Sequence, residues 1–273
     1  MHAAPNSSRL LTALRQWKVL LGVVHLDPLP GSPHAKPLDA TIEAAKRDAG
    51  ILIESGFDGY VVENFGDTPF FPGAVPPHVL TAMTRVALAL PRQSAIVGVN
   101  VLRNDARGAL AGALGAGLDF VRVNVHCGAA VTDQGIVEGV AAKTLRERAQ
   151  LVPGVAILAD VDVKHATPLG AHFDIEGSAR DTAYRGLADG LIVTGSSTGS
   201  GASFDDLRRV TKAVPDRPVF VGSGVTDETV AEVLRHASGV IVGTALKTNG
   251  NVEQPIDATR ARRFVDKARN AEK

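Results

Sequence analysis

Residues 120–126, FVRVNVH, alternate apolar and polar side chains and set Arg122, Asn124 and His126 at every second position. Residues 158–164, LADVDVK, repeat the pattern with Asp160, Asp162 and Lys164. Successive side chains of a strand point to opposite faces, so each polar triplet shares one face and its valines share the other. Two neighbouring parallel strands of this kind would line a charged cavity. Buried charges without partners cost several kcal/mol each, so stability alone does not account for the pattern. An active site does.

Each of these side chains has a chemical role and a plainer one. Lys164, near the end of a buried strand and beside aspartates, fits a Schiff-base nucleophile or general acid, and equally an ion-pair partner of Asp160 or Asp162. His126 and His25 titrate near neutral pH and could transfer protons, or serve as hydrogen-bonded packing residues. Glu63 and Asp27 end two earlier strands and complete the acid–base set with Asp160 and Asp162. These carboxylates with a histidine could hold a divalent metal, but no metalloenzyme spacing such as HExxH occurs, and neither a cofactor nor a metal site is assigned. Arg122 stays ionised; it clamps an anionic group of a ligand or bridges to Asp160. Asn100, Asn124 and Thr194 would orient hydroxyls or a carbonyl of the ligand. The lone cysteine, Cys127, has outward parity, which marks it as an inert thiol. His165 and His172, in the fifth loop, reach the ligand or face solvent.

These residues need a scaffold that brings many strand ends together. Strand-like runs are read at 19–25, 59–63, 95–102, 120–126, 155–164, 190–194, 218–222 and 240–243. Helical patterns follow at 39–55, 77–90, 105–116, 143–151, 176–187, 203–213, 227–236 and 257–271. Such alternation implies parallel strands with crossover helices, and eight units in this length match a (β/α)8 barrel. A doubly wound sheet would want a glycine fingerprint after the first strand, where this chain has HLDPLPG instead. The expected organisation is one barrel over residues 1–273, with an amphipathic helical extension in residues 1–18.

Barrel enzymes work at the C-terminal strand ends. The first five strands end in polar groups and the last three in small ones. VGSGVT (221–226) and VGTALK (242–247) supply Gly222, Ser223, Gly224, Gly243 and Thr244, and Gly195 opens a run of small donors, GSSTGSG, read as a lid. Glycine lets backbone amides approach an anion closely, so these loops read as a phosphate cradle; the plainer reading is tight strand–helix turns. The loop 64–73, NFGDTPFFPG, carries three phenylalanines that cover the barrel mouth or pack on a partner subunit, and a homo-oligomer is expected.

Composition narrows the function classes. Basic and acidic residues balance at 29 each with no basic stripe, so nucleic acid and acidic membrane surfaces have no electrostatic support as partners. The longest apolar runs are strand-sized, no signal-peptide core is present, and one cysteine fits a reducing compartment, so cytoplasm is the expected location.

The stretches GVVHLDPLPG (22–31), VENFGD (62–67), GVNVLRND (98–105), FVRVNVH (120–126), ADVDVKHA (159–166), GLAD (186–189), VGSGVT (221–226) and IVGTALK (241–247) together resemble the BtpA family, also called BtpA/SgcQ. The resemblance covers nearly the whole chain from Val19 and implies a barrel of the ribulose-phosphate-binding type. Its namesake is a photosystem I biogenesis factor. Two functions are therefore expected. One is an enzyme acting on a small phosphorylated metabolite, a sugar phosphate or nucleotide-derived phosphate, by acid–base, lyase, isomerase or glycosidic-bond-cleaving chemistry. The other is a non-catalytic assembly or stability factor acting through protein partners.

Overall fold

A computed structural model describes residues 8–163, 166–169, 173–195 and 203–270. Lys164, His165, His172 and residues 196–202, which include all but Gly195 of the run 195–201 read as a lid, lie outside the described residues. Eight parallel strands close into a ring: β1 (Val19–His25), β2 (Gly59–Glu63), β3 (Ile96–Asn100), β4 (Phe120–Val123), β5 (Ala156–Asp162), β6 (Gly190–Val193), β7 (Val219–Val221) and β8 (Gly239–Val242), with β8 pairing back onto β1. Helices α2 (Leu38–Glu54), α3 (Pro77–Ala89), α4 (Ala106–Ala116), α5 (Ala141–Leu151), α6 (Ile175–Arg180), α7 (Phe204–Ala213), α8 (Val230–His236) and α9 (Ala258–Asn270) follow the eight strands in turn, and α1 (Arg9–Leu14) precedes them. The chain is a (β/α)8 barrel. Among the described residues no helix is long and apolar enough to cross a membrane.

Two apolar layers hold it. Outward-facing strand residues such as Leu20, Val62, Val97 and Val121 pack against the helices in the larger core. Inward-facing Leu21, Val23, Val61, Ile96, Phe120, Leu158, Ile192, Phe220 and Ile241 fill the barrel, and Leu10 and Ala13 of α1 belong to the same cluster. The short N-terminal helix therefore plugs the end of the barrel away from the strand C-termini. Gly98 makes room for the floor, since a Cβ there would meet the Phe120 ring at 2.3 Å.

The base of the barrel repeats a clamp four times. Asp58, Asp119, Asp189 and Ser238 each directly precede an even-numbered strand. Their side chains accept the N–H of Leu20 (2.7 Å), Val97 (2.9 Å), Ile157 (2.8 Å) and Val219 (3.2 Å) on the preceding odd-numbered strand. The three aspartates also carry arginine partners, Arg269, Arg9 and Arg148. A two-strand unit is thus the repeat, visible in GFDGY, GLDFV, LADGL and HASGV.

Two departures from the expected elements reshape the mouth. The strand read to residue 126 stops at Val123 because Asn104 takes over the backbone of Val125, accepting its N–H at 2.8 Å and donating to its carbonyl at 2.9 Å. The chain then forms an antiparallel hairpin, 129–132 against 135–138, which pairs with 166–168 as a small sheet packed on Val125 and Val163. In β5 a bulge between Asp160 and Asp162 shifts the register, so that Asp160 pairs with Ile192 but Asp162 with Val193. The helix read over 176–187 divides into α6 and a π-helical turn, Asp181–Arg185.

If the base clamps work as described, Asp58→Ala should cost roughly 3 kcal/mol and Ser238→Ala about 1 kcal/mol, because a charged acceptor is worth more than a hydroxyl. Urea unfolding measures both; equal costs would show that the aspartate clamp is not a special feature.

Candidate active site

Strand pairing places four polar residues side by side. His25 pairs with Glu63, Glu63 with Asn100, and Asn100 with Arg122, on four consecutive strands. Residues paired in parallel strands point to the same face, here the barrel interior above Val23, Val61 and Phe120. Asn100 Nδ2 donates to Glu63 Oε2 at 2.8 Å, and His25 Nε2 lies 4.0 Å from Glu63 Oε1. Arg122 continues the arc to Asp160 through two parallel bonds, Nε to Oδ1 and Nη2 to Oδ2, both 3.0 Å. Asn124 Nδ2 adds a third donor to Asp160 Oδ2 at 2.9 Å. The Asp160 side chain is fully buried.

The opposite half of the mouth is built from small residues. Gly243 faces His25, and a Cβ on it would meet His25 Cε1 at 2.6 Å. Gly222, Ser223, Gly224 and Thr244 line one cavity of about 440 Å³ with His25, Glu63 and Arg122. Gly224 takes φ +67°, a conformation that glycine adopts without strain. A smaller cavity of about 260 Å³, walled by Asn100, Asn124 and Asp160, shares Glu63, Phe65 and Arg122 with the larger one. Phe65 sets its ring edge on His25 with centroids 4.9 Å apart, so the phenylalanine loop does cover part of the mouth.

With this arrangement in view, comparison with known proteins is decisive for the family. The BtpA family model matches residues 16–270. The chain belongs to the BtpA family. It is 46% identical over 249 residues to the photosystem I biogenesis protein BtpA of Synechocystis, covering 90% of this chain and 86% of that one. It is 45% identical over 251 residues to an uncharacterised protein of Pyrococcus furiosus, covering 91% and 94%. Among solved structures, phosphoribosyl anthranilate isomerase from Thermus thermophilus superposes with a TM-score of 0.55 at 11% identity, over 92% of this chain and 98% of that one, a likeness of fold alone.

In this BtpA-family barrel the sequence-read site divides. His25, Glu63, Asn100, Arg122, Asn124, Asp160, Gly222, Ser223, Gly224, Gly243 and Thr244 line the two joined cavities. Of the two roles read for Arg122, the pair with Asp160 is the one formed. His126 does not join them: once β4 ends early, its ring turns into the helical layer and Nε2 bonds the Gly186 carbonyl at 2.8 Å. Asp162 leaves the mouth because the bulge puts Val163 on that wall instead, and Asp162 lines a neighbouring groove with Asp174 and Ser178. Asp27 pairs with Lys36 at 2.8 Å on the loop after β1 and lines neither cavity. Thr194 donates to the Asp162 carbonyl at 2.6 Å, and Gly195 N–H to Ser223 Oγ at 2.9 Å; both tie strand ends together instead of facing the ligand space. Lys164 lies outside the described residues.

Sequence reasoning missed Arg260 and Arg263, which reach the larger cavity from α9. The only available signal was the basic first half of that helix, ATRARR. Among the described residues no group of three or more His, Cys, Asp or Glu side chains converges as a metal site.

Electrostatics follow from burial. Desolvation works to push the Arg122 guanidinium down, but the charge and hydrogen bonds of Asp160, with Glu63 behind, raise it overall, so it stays protonated. Burial, then the like charges of Asp206 and Asp160, push Asp162 up. Burial holds His126 below the ordinary histidine value, more strongly than its bond to Gly186 raises it. Burial likewise pushes the Cys127 thiol up, in keeping with an inert role.

Two outcomes test this electrostatic picture. Arg122→Met strands a buried carboxylate and should cost about 3–5 kcal/mol in urea unfolding, most of it recovered in Arg122→Met/Asp160→Leu. For His126 the folded state disfavours the proton, so the unfolded chain binds it better and stability falls as pH drops from 6.5 through the lower folded value. His126→Gln should flatten that loss between the two; an unchanged pH slope would contradict the buried, neutral imidazole.

Proposed function

We propose that this BtpA-family barrel is an enzyme acting on a small phosphorylated metabolite at the C-terminal mouth of its strands. The observation that carries the reading is a cavity in which His25, Glu63 and Arg122 of the in-register row face glycine-rich loops after β7 and β8. The loops take the phosphate. Loops in this position bind phosphate in many (β/α)8 barrels, and the turn Thr244–Leu246 begins there with backbone N–H groups that have no intrahelical partner.

The reactive end rests on Glu63. Asn100 fixes one carboxylate oxygen and His25 stands by the other, so Glu63 is the proton acceptor and His25 its acid partner. Arg122 and Asp160 neutralise each other and act as a rigid support that presents Arg122 to the cavity. Asn124 spends its amide on Asp160, while its Oδ1 is buried and has no hydrogen-bond partner among the described residues; it accepts a hydroxyl of the ligand. Proton abstraction and return at one carbon or oxygen serves isomerisation and lyase-type cleavage alike.

A second reading follows from the 46% identity to the photosystem I biogenesis protein: a barrel retained as an assembly factor for a protein partner. The two readings separate on Glu63→Gln. The enzyme reading expects this variant to keep ligand binding while turnover falls by roughly 10²–10⁴-fold. An assembly factor would keep full activity in a complementation assay.

Binding is checked first by thermal unfolding against a panel of phosphometabolites with inorganic phosphate included. A true ligand at 100 times its Kd should stabilise by about 2.7 kcal/mol. No shift with any member overturns the proposal.

A further inference from the structure

The larger cavity holds three arginines, and two of them are committed to carboxylates. Arg122 is bound to Asp160 by its two 3.0 Å bonds. Arg263 pairs at 2.6 Å with Asp227, another wall residue, and so neutralises that carboxylate. Arg260 makes no ion pair among the described residues, yet it is held in place: its Nε donates to the Ala245 carbonyl at 2.9 Å. That leaves the two terminal nitrogens of the fork for the cavity. Nη2 lies 3.9 Å from where a Cβ on Gly250, another wall residue, would stand.

The segment that carries Arg260 is itself fixed. Asp257 caps α9 by accepting the N–H of Thr259 (2.8 Å) and of Arg260 (3.0 Å), and its own N–H donates to the Leu246 carbonyl at 2.9 Å. Lys247 forms a buried ion pair with Asp48 of α2 at 2.8 Å, and Asp48 Oδ1 accepts the Ile256 N–H at 3.1 Å. The strap between β8 and α9 is therefore tied to α2 near both of its ends. A guanidinium with its Nε on a backbone carbonyl and its terminal nitrogens unpaired among the described residues, on the wall of the cavity that Gly243 and Thr244 also line, has the geometry for a bidentate oxyanion contact.

We propose that Arg260 is the side-chain cation of the phosphate subsite, clamping an oxyanion seated on residues 222–226 and 243–245. This deepens the proposed function and rests on its phosphate reading. It also gives the last helix a direct part in ligand binding.

The test is calorimetric titration of the full chain with inorganic phosphate, comparing wild type, Arg260→Gln, Arg260→Lys and Arg262→Gln, the last an exposed cation on the same helix. Loss of a charge-assisted contact should weaken phosphate binding roughly ten- to a hundredfold in Arg260→Gln. Arg260→Lys keeps the charge but loses the fork, and should fall between that variant and wild type; it carries the same comparison should Arg260→Gln not fold. Arg262→Gln should bind as wild type does. Wild-type affinity in both Arg260 variants overturns the assignment while leaving the phosphate reading intact. Absence of phosphate binding to the wild-type chain overturns both.

Discussion

In a closed parallel barrel only every second side chain enters the interior, and residues paired across neighbouring strands enter at the same height. His25, Glu63, Asn100 and Arg122 obey this together, because their four strands are paired without a slip at that level. One height below, Val23, Val61 and Phe120 close the floor and keep water from reaching the row from beneath. A one-residue shift in any of these strands would turn its polar group into the helical layer and a valine into the mouth. The polar row, the apolar floor and the helix plug are therefore consequences of one register.

Burying such a row demands that its charges be balanced locally. Arg122 and Asp160 do this for each other, with two bonds of 3.0 Å and a further donor from Asn124. A buried ion pair is a poor source of net stability, since desolvation offsets most of the attraction. Its use here is geometric: it fixes one end of the row, while Glu63 sits between Asn100, which donates to it, and the neighbouring His25. Across the mouth, Gly222 and Gly243 replace side chains with backbone, and the two halves share one cavity.

Much of this was legible from residue order alone. All eight barrel strands fall where alternation and β-branched runs put them, and His25, Glu63, Asn100, Arg122 and Asn124 from the polar ends of strands one to four line the mouth, while Asp27 and His126 do not. What sequence periodicity could not convey was where a strand stops being a strand. The valines of 120–126 alternate to the end, but a side chain from another loop, Asn104, supplies the ladder bonds at Val125 and releases His126 outward. In β5 the bulge breaks the period of two inside an unbroken alternation, which separates Asp160 from Asp162. The base clamps were written in plain view as Asp or Ser before each even strand, a repeat that goes unseen when strands are read one at a time. Arg260 reaches the site through a strap pinned by the distant pair Lys247–Asp48, a contact 199 residues apart that no local pattern encodes.

The most direct measurement is a crystal structure of the full chain grown with inorganic phosphate. An anion within hydrogen-bond reach of the backbone at Gly222–Gly224 and Gly243–Ala245, in the same open cavity as Glu63 and His25, is the expected result. A cavity filled by protein side chains, or phosphate bound only elsewhere with Glu63 turned to bulk solvent, would contradict it.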